Sequence, residues 1–238
     1  MEPYLFTGVI LPERAQLSLQ REFGFTHLLI GASGTVKMSI VLNQVAIWVE
    51  TDHDWDIFDL RNVVKNFIQD QLAMLGYIKG YVYDFEVTRV LSQSRSIDYV
   101  FGIDIPCISE RGPEADLPVA MEKLSKKMSG PTGVLISRCF KDLASSMKYA
   151  DDTGFYCYRA IESLRHHCAS AHGLSEAEKP RQWGKFREVS GCSEGDIRFI
   201  KSAADPLRHG EIANASSINR ERILKITWDI VDGYINCI

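Results

Sequence analysis

The sequence predicts an α+β chain in two parts: an N-terminal antiparallel β-sheet with one packed helix, then a C-terminal all-α bundle. Three observations predict it. Runs rich in aromatic and β-branched residues fill the first half. Those patterns vanish after Ser109-Glu110-Arg111-Gly112-Pro113, where the composition shifts. Beyond that point apolar residues recur at helical spacing between Gly, Pro and Asp separators. A length of 238 residues suits one large domain or two small ones. The boundary is placed near residue 113, giving a β-rich domain, 1–113, and a helical one, 114–238.

The strands are expected at Tyr4–Ile10, Gln16–Phe25, Val36–Leu42, Val45–Glu50, Tyr81–Leu91 and Ser96–Ile105, with Asn43-Gln44 as a tight turn. One helix interrupts them. Asp56 can cap it, Asp59 sits near its positive end, and Leu60, Val63, Val64, Phe67, Leu72 and Leu75 recur at its spacing, with Gly76 able to end it. The later helices are expected at Leu117–Met128, Val134–Tyr149, Phe155–Ala171, Arg181–Val189, Glu194–Arg208 and Ile218–Ile235. The last one has two apolar stripes, Ile223-Ile226-Ile230-Tyr234-Cys237 and Leu224-Trp228-Val231-Ile235. Such width suits a central bundle helix or a subunit interface.

Hydrophobic residues at 45% and charged residues at 24% exclude a disordered or fibrous chain. With 27 basic and 31 acidic residues the net charge is −4, so a chain-wide basic nucleic-acid footprint is absent. Residues 1–113 carry 9 basic and 14 acidic residues, 114–150 carry 6 and 4, and 151–238 carry 12 and 13. Any nucleic-acid contact is therefore local. The N-terminus lacks a basic segment before an apolar run, and uncharged stretches such as Met38–Val49 are too short to span a bilayer. A cytoplasmic protein without membrane contact is expected. The six cysteines form no C-x-x-C pair and read as reduced core residues.

Chemistry-bearing residues gather near the C-terminus. On the helix Phe155–Ala171, Arg159, Glu162 and His166 share an arc away from the apolar one. At three and four residues apart, Glu162 can meet either basic partner. The trio reads either as an Arg–Glu–His cluster for phosphate binding and proton movement or as a solvated ion-pair ladder. In Asp205-Pro-Leu-Arg-His-Gly-Glu211, Pro206 excludes an undisturbed helix interior, and Gly210 can supply a turn. Arg208 and His209 then stand at a helix end. An Arg fork binds phosphate and a His exchanges protons near neutrality, the metal-free means for 2′-OH attack on an adjacent phosphate. Both residues also suit a plain cationic helix C-terminus.

Other groupings have structural readings beside the functional one. Asp52-His53-Asp54 with Asp56 can hold a divalent ion, or form a polar loop with an N-cap. His166, His167, Cys168 and His172 are metal-ligand types without a distant ligand pair, so no metal and no cofactor is expected. Gly31-Ala-Ser-Gly34 reads as a turn, because it lacks the helix and acidic residue of a dinucleotide site.

The series Phe155-Tyr-Cys-Tyr-Arg-Ala-Ile-Glu162, then Trp183 with Phe186-Arg187, then Ile200 and Leu207-Arg208-His209-Gly210 before a long last helix, resembles the HEPN superfamily over roughly residues 130–238. The resemblance implies a four- to five-helix bundle, found in prokaryotic toxins and antiphage systems. It also implies a homodimer through the C-terminal helices that brings together an R-x(4–6)-H motif, often a metal-independent RNase. On this sequence Arg208 matches the Arg and His209 the polar residue after it, while the family's His falls near Asn214. An Asn there exchanges no proton near neutral pH, so His209 takes over or the bundle is silent. The resemblance also suggests Arg159, Glu162, His166 and Asn214 as supporting residues. Residues 1–113 look like the variable β-rich partner that often precedes such bundles.

Three functions fit these residues. The first is a dimeric, metal-independent endoribonuclease with catalytic Arg208 and His209. The second is a catalytically silent dimerisation module whose acidic β-rich domain recognises a protein or ligand partner. The third, a small-molecule enzyme in the sheet domain, needs a sizeable apolar pocket lined by titratable residues.

Overall fold

A computed structural model of the chain describes residues 4–27, 30–111, 116–211 and 217–238. The chain divides into two compact units, 1–103 and 104–238. The division falls ahead of the composition shift at 109–113, because residues from 105 onward pack with the helices.

The first unit is a six-stranded antiparallel sheet with one helix on it. The strands are β1 (Tyr4–Leu11), β2 (Leu19–Thr26), β3 (Ser33–Val41), β4 (Gln44–Thr51), β5 (Asp84–Ser92) and β6 (Ile97–Val100), in the order β2-β3-β4-β1-β5-β6. Alternation fixes the faces. Tyr4, Phe6, Gly8 and Ile10 of β1 are buried and the residues between them half-buried, and β3 and β4 repeat the alternation. The inward set packs against helix α1 (Ile57–Lys79) through Leu60, Val64, Ile68 and Leu72.

Local chemistry moved several expected ends. β2 begins at Leu19, because Gln16 adopts φ 45° after a short 3₁₀ turn at Glu13–Ala15. The β3–β4 turn is Leu42-Asn43, both with positive φ. Buried Asn43 accepts from Leu17 N at 2.6 Å and donates to Glu13 O at 2.7 Å, pinning the β1–β2 connection. Asp56 caps α1, accepting from Phe58 N at 2.8 Å and Asp59 N at 3.2 Å. The helix does not stop at Gly76. It runs on to Lys79, and Gly80 at φ 69° ends it. Gly76 is needed inside the helix for another reason: a Cβ there meets Tyr81 O at 2.5 Å.

The second unit holds α2 (Pro106–Ser109), α3 (Leu117–Lys127), α4 (Gly133–Lys148), α5 (Thr153–Ala171), α6 (Lys179–Ser190), α7 (Glu194–Arg208) and α8 (Ser217–Cys237). Ile105, Cys107 and Ile108 pack on its core, and Arg111 donates to Lys225 O at 2.9 Å and pairs with Asp229. These contacts draw 104–111 to this side of the division. α5 is central and packs against α4, α6, α7 and α8. Its Cys157, Ala160, Ile161, Leu164 and Cys168, which recur at helical spacing, are fully buried. α8 uses both apolar stripes within the chain. Ile223, Leu224, Ile230, Val231, Tyr234 and Ile235 are buried, while Cys237 is exposed. Pro206 does not break α7, because it sits in the last turn, which continues to Arg208. All six cysteines are free, with Cys139, Cys157 and Cys168 buried. No described helix is long and apolar enough to cross a membrane.

Candidate functional site

The arc shared by Arg159, Glu162 and His166 does not become one cluster. Each residue rises about 1.5 Å along a helix, so Arg159 and His166 lie about 10 Å apart along the axis. Arg159 instead forms a two-pronged pair with Asp142 of α4, with Nε to Oδ2 at 3.0 Å. Its guanidinium lies 5.1 Å from the ring centroids of both Phe155 and Tyr156. Asp142 is buried, so this arginine neutralises a carboxylate that water does not reach.

His166 belongs to a different group. Buried Arg165 donates from Nη2 to His166 Nε2 at 2.7 Å, and from Nη1 to Gln182 Oε1. A guanidinium has only donors, so Nε2 accepts, and the neutral ring carries its proton on Nδ1. That nitrogen faces Glu176 Oε1 at 3.3 Å. Gln182 is held in turn by Ser175 O at 2.7 Å. Glu162 pairs with neither basic residue among the described residues. Its charge acts on Tyr158.

Tyr158 is the residue that joins α5 to the end of α7. Its ring stacks on Trp183 at 6.2 Å, and the Arg208 guanidinium lies 5.6 Å from its centroid. Trp183 also carries Arg165 at 5.0 Å. Burial, with the Glu162 charge next, pushes the Tyr158 hydroxyl up to about 12, so it stays protonated at neutral pH. The Arg208 side chain is 41% exposed, and its ion pair among the described residues is a long one, Nη1 to Asp205 Oδ1 at 3.4 Å. His209 caps α7 through its backbone, and its exposed imidazole has no partner among the described residues. Arg208 and Tyr158 are thus brought together, with His209 next in sequence and the Glu162 charge acting on the same tyrosine. Arg159 and His166 are held elsewhere, and Asn214 lies outside the described residues.

The remaining groupings resolve into structure. Asp52 accepts from Ser33 N at 3.0 Å, Asp54 pairs with Arg95, and Asp56 is the cap, so each carboxylate has a separate duty. Cys168 Sγ lies 3.7 Å from His172 Nδ1, while His167 Nδ1 lies 2.7 Å from the buried Tyr234 hydroxyl. Among the described residues no three His, Cys, Asp or Glu side chains converge to hold a metal. Gly31 takes φ 67° in a turn, and Gly34 lies in β3 where a Cβ meets Glu50 O at 2.2 Å.

Two concavities are notable. One of about 240 Å³ lies between the start of α5, the end of α7 and the start of α8, lined by Phe199, Pro206, Leu207 and Arg220 among others. Arg220 donates to Thr153 Oγ1 at 3.0 Å and Met147 O at 2.9 Å, tying α8 to the end of α4. The other, of about 410 Å³, lies on the sheet face away from α1 and is lined by Glu22, Thr35, Lys37, Trp48 and Glu50. It is open and mostly polar, not the apolar pocket that a small-molecule enzyme in this unit requires.

Comparison with known families agrees with this division. Residues 4–101 match the model of the N-terminal domain of DUF8168, a domain of unknown function, and residues 121–238 match the model of its C-terminal domain. The chain belongs to the DUF8168 family. The N-terminal DUF8168 domain coincides with the sheet unit, and the C-terminal one begins inside α3 and takes in the rest of the bundle. No curated protein and no solved structure matches the chain.

Sequence reasoning missed Asp142 and Gln182, and it gave Tyr158 and Trp183 no part in the site. Tyr158 falls on the buried side of α5, where an aromatic reads as core. Asp142 is visible only once α4 is laid against α5.

Proposed function

We propose that the C-terminal unit is a HEPN-like bundle acting as a metal-independent endoribonuclease when two chains pair. Arg208 holds the scissile phosphate, and His209 moves the proton. The reaction is attack of a ribose 2′-OH on the adjacent phosphorus with departure of the 5′-oxygen, leaving a cyclic phosphate. It needs a base for the attacking hydroxyl and an acid for the leaving oxygen. Each chain offers one exposed imidazole beside Arg208, so a pair of chains supplies both. The observation that carries this reading is the state of Arg208. Unlike Arg159 and Arg165, it is not clamped, and its fork is open to a phosphate while the Tyr158 ring steadies it.

The test is cleavage of unstructured RNA by the full chain. Arg208→Ala and His209→Ala each lower the rate at least about a hundredfold, and a chelator leaves it unchanged. An unaffected Arg208→Ala rate, or loss of cleavage with chelator, defeats the reading. A silent binding module is the second reading, favoured by the absence of any group orienting His209 among the described residues and by the Asn at position 214. It predicts a dimer whose β-rich domain binds a protein or ligand partner, with no cleavage at all.

A further inference from the structure

The end of α1 shows an exposure pattern unlike the rest of its length. Gly76 faces the sheet, and Met74, Tyr77 and Ile78 fall on the opposite side of the same turns. Tyr77 is 91% exposed and Ile78 76%. Past the Gly80 cap, Tyr81 is exposed and Val82 is 88% exposed before β5 begins at Asp84. Five large apolar side chains thus stand in water within nine residues, where isolated exposed apolar residues are the norm.

The segment is built, not loose. Gly80 N and Tyr81 N both donate to Gly76 O, at 2.7 and 3.1 Å. The Gln69 side chain clamps the entry to β5, donating to Tyr83 O at 2.9 Å and accepting from Phe85 N at 3.1 Å. The exposed side chains are therefore presented on fixed backbone, which lowers the entropy lost on docking. The β3–β4 turn opens at the same end of the sheet, because Gln44 pairs with Val9 and Asp84 with Leu11. That turn exposes Val41 and Leu42 as well.

We propose that this turn, residues 74–82, is a self-association surface that packs on the same turn of a second copy of the chain. Size supports that occupant: five such side chains offer on the order of 600–800 Å², and one side of a stable interface takes about 800 Å². A two-fold axis through an apolar patch makes it complementary to itself. Lys79 is the one charge in the segment, and its stem can lie flat while the ammonium reaches water. A lipid surface fits less well, because residues 1–103 carry eight basic and twelve acidic residues, a balance that anionic membranes repel. The surface belongs to the N-terminal unit and does not depend on the reading of Arg208.

Sedimentation of the full chain over a concentration series tests it, comparing the native sequence with the double variant Tyr77→Asp, Val82→Asp. Both positions are solvent-exposed, and circular dichroism checks that the variant folds. The native chain associates, and the variant loses one association step or shifts its midpoint at least about tenfold upward. Superimposable curves overturn the proposal, and so does a native chain that stays monomeric throughout. Flotation with phosphatidylcholine–phosphatidylserine vesicles provides the contrast. Native chain that floats while the double variant does not, with matching sedimentation curves, assigns the patch to lipid and overturns it too.

Discussion

Arg165 is buried among α5 and α6 with Gln182, His166 and Trp183 around it and no carboxylate in reach among the described residues. A buried cation without a counter-charge is costly, and here dipoles and an aromatic face do the work usually left to an acid. One buried atom, Nε, has no partner among the described residues. The same helix buries a second basic group more gently. His167 sits against the Tyr234 hydroxyl, and burial lowers its affinity for a proton below the ordinary histidine value. Linkage sets the sign of the effect on stability. Below about pH 6.5 the unfolded chain takes up a proton at His167 that the folded chain resists. Stability from this residue is thus intact above that pH and falls as pH drops through it. The ring is only partly buried, so the slope stays well under about 1.4 kcal/mol per pH unit. Urea unfolding of native chain and His167→Gln at pH 7 and pH 5.5 isolates the effect: the variant loses less stability on acidification. Equal losses in both proteins remove His167 as a contributor.

At the scale of elements, close approach decides where glycine is required. Gly233 of α8 lies against the end of α6, and a Cβ there meets Ser190 O at 2.2 Å. Alanine gains about 1 kcal/mol in helix propensity over glycine, but a backbone oxygen at that distance cannot yield unless α6 and α8 separate. Gly233→Ala is expected to destabilise by about 1–3 kcal/mol. Gly184 of α6 has nothing within 4 Å of its Cβ position, so Gly184→Ala is expected to stabilise by about 0.5–1 kcal/mol. Denaturant midpoints of the two variants must move in opposite directions, and movement in the same direction refutes the close-approach argument. These two glycines also mark what a sequence can tell. The strands, α1 and each long helix were legible because apolar periodicity and Asp56 act locally. Gly76 read as a helix end because its need for a missing side chain comes from Tyr81 O, a contact that exists only after the chain has turned. The candidate site was half legible for the same reason. Arg208 and His209 stand at a helix end that Gly210 announces, whereas Asp142 meets Arg159 only through the packing of α4 on α5.

For the whole molecule the division at 103 and 104 has a consequence for stability. Each unit has its own core, the first led by Phe6, Ile47 and Leu72 and the second by Ile161, Leu164 and Phe186. A fragment of residues 1–103 and one of 104–238 are each expected to fold and melt cooperatively. Composition alone suggests cutting at 113 instead, and the two cuts are not equivalent. A fragment starting at 114 lacks Ile105 and Ile108, which pack on the helical core, and Arg111, which bridges Asp229 and Asp232, the latter at 3.4 Å, and binds Lys225 O. The half-buried isoleucines contribute about 1–2 kcal/mol, and the Arg111 network, exposed on its acidic side, adds at most about 1 kcal/mol. Together they correspond to a melting temperature on the order of 5–10 °C lower for 114–238 than for 104–238. Calorimetry of both fragments decides it. Matching transitions mean that α2 and Arg111 rest on the bundle without stabilising it, and that the boundary belongs near 113 after all.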